Sequence, residues 1–126
     1  MYTPYVSWDE YVAMGYTDLA EETAQRFLVE ASRQVDTLTF NRIVKKGFDN
    51  LTDFQQQIIQ EVVCEQASFL YENADAISSV FDTYSINSVT MKFGTGFNFD
   101  LQGGVPIQHT TYSLLEQTGL CCRIAR

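Results

Sequence analysis

Apolar residues recur along this chain at two spacings, and the switch between them divides it. Up to about residue 76 they step by three and four, the period of helices with one buried face. Beyond Ala76 they alternate with polar residues, the period of a strand.

Ser7-Trp-Asp-Glu10 has the form of a capping box, in which the Ser7 hydroxyl accepts from the Glu10 N–H and the Glu10 carboxylate accepts from the Ser7 N–H. A short helix to about Met14 follows, stopped at Gly15. Trp8 and Tyr11, three apart, share the face that tacks it to the body. Asp18-Leu-Ala-Glu21 repeats the box, and a longer helix runs to about Leu38. Its stripe is Leu28, Ala31, Val35 and Leu38, widened by Ala24 and Phe27. Glu22–Arg26 and Arg26–Glu30 are i,i+4 pairs on its outer face. Thr39 to Gly47 leads out as a short helical turn, with Gly47 as the break.

The third helix is the most strongly patterned. Thr52-Asp-Phe-Gln55 caps it, and it continues to about Asn73. Phe54, Ile58, Val62 and Phe69 make one stripe; Ile59, Val63, Ala67 and Leu70 make a second beside it. Together they span roughly 220° of the helix, wider than one core surface requires. Such a helix is either central in its bundle or covered on one side by a neighbouring subunit. Gln66 projects into this arc, as a buried amide satisfied by nearby backbone or as a subunit contact. Cys64 falls on the polar side with Gln57, Glu61 and Ser68, a small filler with nothing to depress its pKa.

In the alternating region, Tyr84-Ser-Ile86 and Val89-Thr-Met91-Lys-Phe93 read as a small hairpin or extended arm split by Asn87-Ser88. Gly94, Gly96, Gly103 and Gly104 bracket Phe97-Asn-Phe99-Asp-Leu101, an exposed loop whose large apolar side chains call for cover. Pro106 suits the first turn of a last helix, about Ile107 to Thr118. Gly119 then fits a left-handed C′ position, with Leu120 meeting Leu115 in a Schellman ending. The expected fold is mainly α, a small bundle of about four helices with a short β-hairpin or extended arm between the third and last. It forms one domain over 1–126: a helical part at 1–76, the arm at 77–105, and a C-terminal helix and tail at 106–126.

Composition narrows the function classes. A chain of 126 residues, 45% hydrophobic and 19% charged, can bury one core of useful size. Its net charge of −8 is spread out: nine acids and five bases in residues 1–53, seven acids and three bases in 54–126. That balance argues against sequence-specific DNA binding, which requires several Lys or Arg on phosphates. The first ten residues carry no basic region, so no signal peptide is expected. No stretch approaches the ~20 apolar residues that span a bilayer. A cytoplasm-like compartment is expected, and Cys64, Cys121 and Cys122 are expected as reduced thiols.

Each candidate for chemistry has a structural explanation. His109 is the one histidine, and no nucleophile motif such as Gly-x-Ser-x-Gly precedes it. Gly94-Thr-Gly96 lacks the later glycine and helix start of a dinucleotide loop. Glu21/Glu22 and Asp9/Glu10 sit at helix N-termini, where negative charge is stabilising. With one histidine and no Cys-x-x-Cys spacing, no metal site is expected. The reading is of a non-enzymatic protein with no cofactor.

Phe27-Leu-Val-Glu-Ala-Ser-Arg-Gln-Val-Asp-Thr-Leu-Thr39, the Phe54-Gln-Gln-Gln helix running into Cys64-Glu-Gln-Ala-Ser-Phe-Leu-Tyr-Glu-Asn73, Tyr84-Ser-Ile-Asn-Ser-Val-Thr-Met91 and Leu114-Leu-Glu-Gln-Thr-Gly-Leu120 follow one another in an order that resembles the small head–tail connector (adaptor) proteins of tailed bacteriophages. The resemblance covers roughly two thirds of the chain, as patterning rather than one diagnostic motif. It implies a homo-oligomeric ring, commonly of twelve, in the virion neck. There it would bind the portal at the capsid vertex, meet a tail-completion or stopper protein below, and extend the DNA channel without sequence-specific contact. Assembly would take place in the host cytoplasm, with no membrane. Twelve copies would bring about −96 of formal charge, which keeps DNA from sticking in a channel.

The interface is expected at Ile59, Val63 and Gln66 on the third helix, Met91 and Phe93 in the arm, and Phe97, Phe99 and Leu101 in the loop. The resemblance adds Leu120 and Ile124, since it docks the C-terminal helix and tail on the portal. The alternatives are another neck component, stopper or tail-completion protein, which would be richer in strand, and an acidic adaptor module that binds a host protein.

Overall fold

The computed structural model describes residues 3–17, 19–74, 77, 91–92, 99–102 and 105–121. It is mainly helical: α1 (Trp8–Ala13), α2 (Glu21–Leu38), α3 (Arg42–Lys46), α4 (Asp53–Glu72) and α5 (His109–Glu116), with a 3₁₀ turn at Phe48–Asn50. Three short strands, β1 (Met91–Lys92), β2 (Phe99–Gln102) and β3 (Val105–Gln108), form an antiparallel sheet in the order β1-β2-β3.

Two of the three expected capping boxes are formed. Ser7 Oγ accepts from Glu10 N at 3.2 Å while Glu10 Oε1 accepts from Ser7 N at 3.0 Å, and Thr52 and Gln55 repeat the exchange at 3.1 Å each way. The middle one is corrected. Helix α2 starts at Glu21, its N-cap is Ala20 with no side-chain bond, and Asp18 lies outside the described residues.

Helices α2 and α4 are antiparallel and make up most of the core. Gln34 Oε1 accepts from Gln66 at 2.7 Å, and the Phe27 and Tyr71 rings meet edge to face at 5.9 Å nearer the other end. Leu28, Ala31 and Val35 of α2 and Ile59, Val62 and Val63 of α4 all belong to this core, each at most 1% exposed. Each large aliphatic residue so buried contributes about 1.5–3 kcal/mol.

The two-stripe pattern of α4 has its cause inside the chain. Its apolar arc is covered by α2, α5 and β3, and its polar side by α1 and the segment before it. Tyr11 Oη and Ser68 Oγ share a hydrogen bond of 2.7 Å, and Cys64 Sγ lies 3.8 Å from Met14 Sδ. Cys64 and Ser68 are therefore buried, although they lie off the apolar arc. Glutamines along α4 serve as donors to backbone carbonyls of the segments packed around it. Gln55 reaches the Thr118 carbonyl, Gln56 those of Phe48 and Leu51, Gln60 that of Tyr5 and Gln66 that of Pro106. Buried backbone acceptors that no ladder partner satisfies need such donors.

The arm differs in its pairing. Met91–Lys92 is a strand as expected, but its described partner is Leu101–Asp100 on β2. The segment read as a loop, Phe97 to Leu101, therefore contributes Phe99–Leu101 to the middle of the sheet. Strand β2 pairs with β3 from Phe99↔Gln108 to Gln102↔Val105, which leaves Gly103-Gly104 between the paired ends. The Asn87-Ser88 turn and the strand at 84–86 lie outside the described residues. Pro106 and Ile107 belong to β3, and the last helix begins at His109. The fixed φ of proline fits an edge strand as well as a first helical turn, and Val105 before it is biased to extended backbone.

Helix ends show one exchange of roles. Gly119 is left-handed at φ +74 and its N–H donates to Glu116 O at 3.0 Å, one of the two bonds of the expected Schellman ending; the Leu120 N–H goes to Thr118 Oγ1 at 3.2 Å in place of the second. The complete motif closes α2. Asn41 N donates to Asp36 O at 2.8 Å and Phe40 N to Thr37 O at 3.2 Å, which puts Phe40 in the left-handed C′ position at φ 56.

Candidate interface surfaces

The expected interface residues separate into three groups. Ile59, Val63 and Gln66 are 0%, 0% and 1% exposed, so they are corrected to core residues of this chain. Gln66 is the buried amide held by backbone. Its Nε2 donates to Pro106 O and Gln34 Oε1, each at 2.7 Å, and its own Oε1 is buried without a partner. Leu120 is half-buried against the core, and its carbonyl accepts from Arg42 Nη1 at 2.9 Å. Met91 lies on β1, and Phe99 and Leu101 on β2. Phe93, Phe97 and Ile124 lie outside the described residues.

The exposed apolar residues are elsewhere. Among the described residues the three most exposed large apolar side chains are Val44 (60%), Phe54 (54%) and Phe40 (52%). All three lie at one end of the bundle, where α2 ends, α3 crosses and α4 begins. Periodicity alone puts Phe54 in the buried stripe. At the first turn of α4, however, the neighbouring segments meet Gln55 and Gln56, and the Phe54 side chain faces solvent. The local cue for Phe40 is faint, since Schellman positions are usually marked by glycine and this one holds an aromatic.

Charge is segregated along the same axis. Arg42, Lys45 and Lys46 cluster around α3, and no acid lies between Asp36 and Asp49. The Arg42 guanidinium carbon sits 5.1 Å from the Phe40 ring centroid. A groove of about 570 Å³ is lined by Arg33, Asp36, Thr37, Phe40, Asn41, Val44 and Lys45, two bases and one buried acid among them. Beside it a cavity of about 600 Å³ is lined by Arg42, Lys45, Lys46, Gln55 and Leu120. At the other end, Glu21 and Glu22 open α2, Glu72 closes α4, and Tyr71 is 49% exposed, with Arg26 a single base among them, 4.9 Å from the Phe27 ring centroid.

Groups with chemical potential are placed conservatively. His109 is exposed at the first position of α5, with Thr110 and Ser113 exposed and Thr111 buried. Burial pushes the Cys64 thiol up to about 12, with Glu65, Glu10 and Glu61 adding to it. The Tyr16 phenol is also raised, first by burial and then by Glu65, whose Oε1 accepts from Tyr16 Oη at 3.1 Å. Cys64 is a free thiol, and both Cys64 and Cys121 are buried. Among the described residues no group of three or more His, Cys, Asp or Glu is placed to hold a metal ion, and no helix is long and apolar enough to cross a membrane. Among known proteins, no family model, no curated protein and no solved structure matches this chain.

Proposed function

We propose that this chain is a structural assembly subunit, the ring-forming head–tail connector (adaptor) of a tailed phage that binds the portal and links it to the tail or the next neck protein. The observation that carries the assembly part is the gathering of Phe40, Val44 and Phe54 at one end of the bundle, half or more of each open to water. Completing the burial of each in a partner interface would contribute roughly 1 kcal/mol. Apolar groups gathered on a charged surface are a usual mark of a protein contact. The connector part is supported by the sequence patterning of α2, α4 and α5.

The test is assembly itself. The purified chain, mixed with the portal of the same phage, is expected to form a ring whose mass is an integer multiple of the subunit, and deletion of its gene is expected to leave heads without tails. A chain that stays monomeric beside its portal, together with normal tailed particles from the deletion, would sink the reading.

A further inference from the structure

We infer that the two ends of the α2–α4 pair are the two halves of one contact, so that the basic, apolar end of each copy receives the acidic end of the next. This rests on the assembly reading and adds the surfaces and the polarity of the contact. The geometry is head-to-tail. Helices α2 and α4 are antiparallel, so the Phe40–Lys46 corner lies at one end and Glu21, Glu22, Tyr71 and Glu72 at the other. Helix α2 alone, with its 18 residues, separates them by about 27 Å. Heterologous contacts of this kind close into rings when the rotation per copy divides a full turn.

The occupant is argued from charge. The basic corner is a local reversal on a chain of net charge −8, so the nearest complementary surface in a solution of this protein is another copy. A nucleic acid fits less well, because an extended polyanion would also run along the rest of a chain of net charge −8, whereas a second copy meets the corner with one end only. Exposed ion pairs alone contribute little, so charge sets polarity and register while Phe40, Val44 and Tyr71 supply buried area. The Phe40 backbone favours the same reading. An aromatic in a left-handed C′ position, where glycine would fit without strain, projects into a groove edged by Val44 and Lys45.

Two charge-reversed chains test this. One carries Lys45→Glu and Lys46→Glu; the other carries Glu22→Lys and Glu72→Lys, whose helix-dipole effects oppose each other. Wild type and variants are compared by mass photometry and sedimentation velocity, with helix content checked by circular dichroism. Each variant alone is expected to assemble at least about tenfold more weakly than wild type, and an equimolar mixture to recover assembly by alternation. Raising ionic strength from about 0.05 to about 0.5 M is expected to weaken wild-type assembly. Folded variants that assemble alone like wild type, or a mixture that does not recover, overturn this contact and leave the connector reading in place. A wild type that never self-associates also overturns it, and portal mixing then decides the connector reading separately. Duplex DNA bound by wild type and lost in the lysine variant, with self-association unchanged, overturns it as well.

Discussion

Replacing Phe40 separates backbone strain from ring packing. Phe40→Gly and Phe40→Ala both remove the ring and its cation–π interaction with Arg42 at 5.1 Å, worth about 0.5–1 kcal/mol at an exposed site. They differ in whether a Cβ sits at φ 56. A Cβ in the left-handed region costs about 1–2 kcal/mol, while the looser unfolded chain of glycine returns about 0.5–1 kcal/mol of that. The glycine variant is therefore expected to exceed the alanine variant by about 0.5–1 kcal/mol, the reverse of their order inside a helix. For a chain of this size that is about 2–5 °C in Tm. Phe40→Gly should lie within about 1 kcal/mol of wild type, since relief of the backbone strain offsets removal of the ring. Urea unfolding followed by circular dichroism, at a concentration where monomer dominates, reads both differences with m unchanged. An alanine variant equal to or above the glycine variant would refute the left-handed assignment. A destabilisation of more than about 3 kcal/mol in both would show a core ring rather than a displayed one.

Other consequences can be checked with the same assay. Ala20 caps α2 without a side-chain bond, so Ala20→Ser is expected to stabilise the fold by about 0.5–1 kcal/mol, and no gain would count against the α2 start at Glu21. Gln66→Leu removes the donor to Pro106 O and is expected to cost about 1–3 kcal/mol; an unchanged midpoint would mean the Pro106 carbonyl finds another partner. The Cys64 pKa is raised by burial from 9.0 to about 12, so its stabilising share is complete below pH 9.0 and lost as pH rises to about 12. Stability of Cys64→Ala should fall less steeply than wild type across that window, and equal slopes would be the contrary result. Native Cys64 should likewise resist thiol reagents at neutral pH until the chain unfolds.

The helical half was legible because its signals are local. Capping boxes join residues three apart, and the stripes of α2 and α4 repeat within single turns, so Ser7, Thr52 and the ends at Leu38 and Asn73 could be placed from the chain alone. Asp18 misled because a cap sequence fits wherever a carboxylate precedes a glutamate by three. What α4 packs against was not legible. Surplus apolar width looks the same whether another helix of the same chain or a second copy covers it, and Ile59, Val63 and Gln66 proved to be covered from within. Pairing in the arm is non-local, and Val105-Pro106-Ile107 satisfies both a strand and a helix start. The basic, apolar end escaped notice because Phe40 breaks the glycine rule for a helix ending, and because Val44 sits on a five-residue helix too short to show a period.

The glutamine donors of α4 set how the protein responds to its buffer. Neutral amides tie this helix to the N-terminal segment, the 3₁₀ turn, β3 and the end of α5. No proton or counterion enters or leaves when such bonds break, so moderate salt and mild acid leave these ties intact. On the proposed head-to-tail contact, ionic strength then becomes a selective solvent variable: it would loosen copy from copy while each copy keeps its shape.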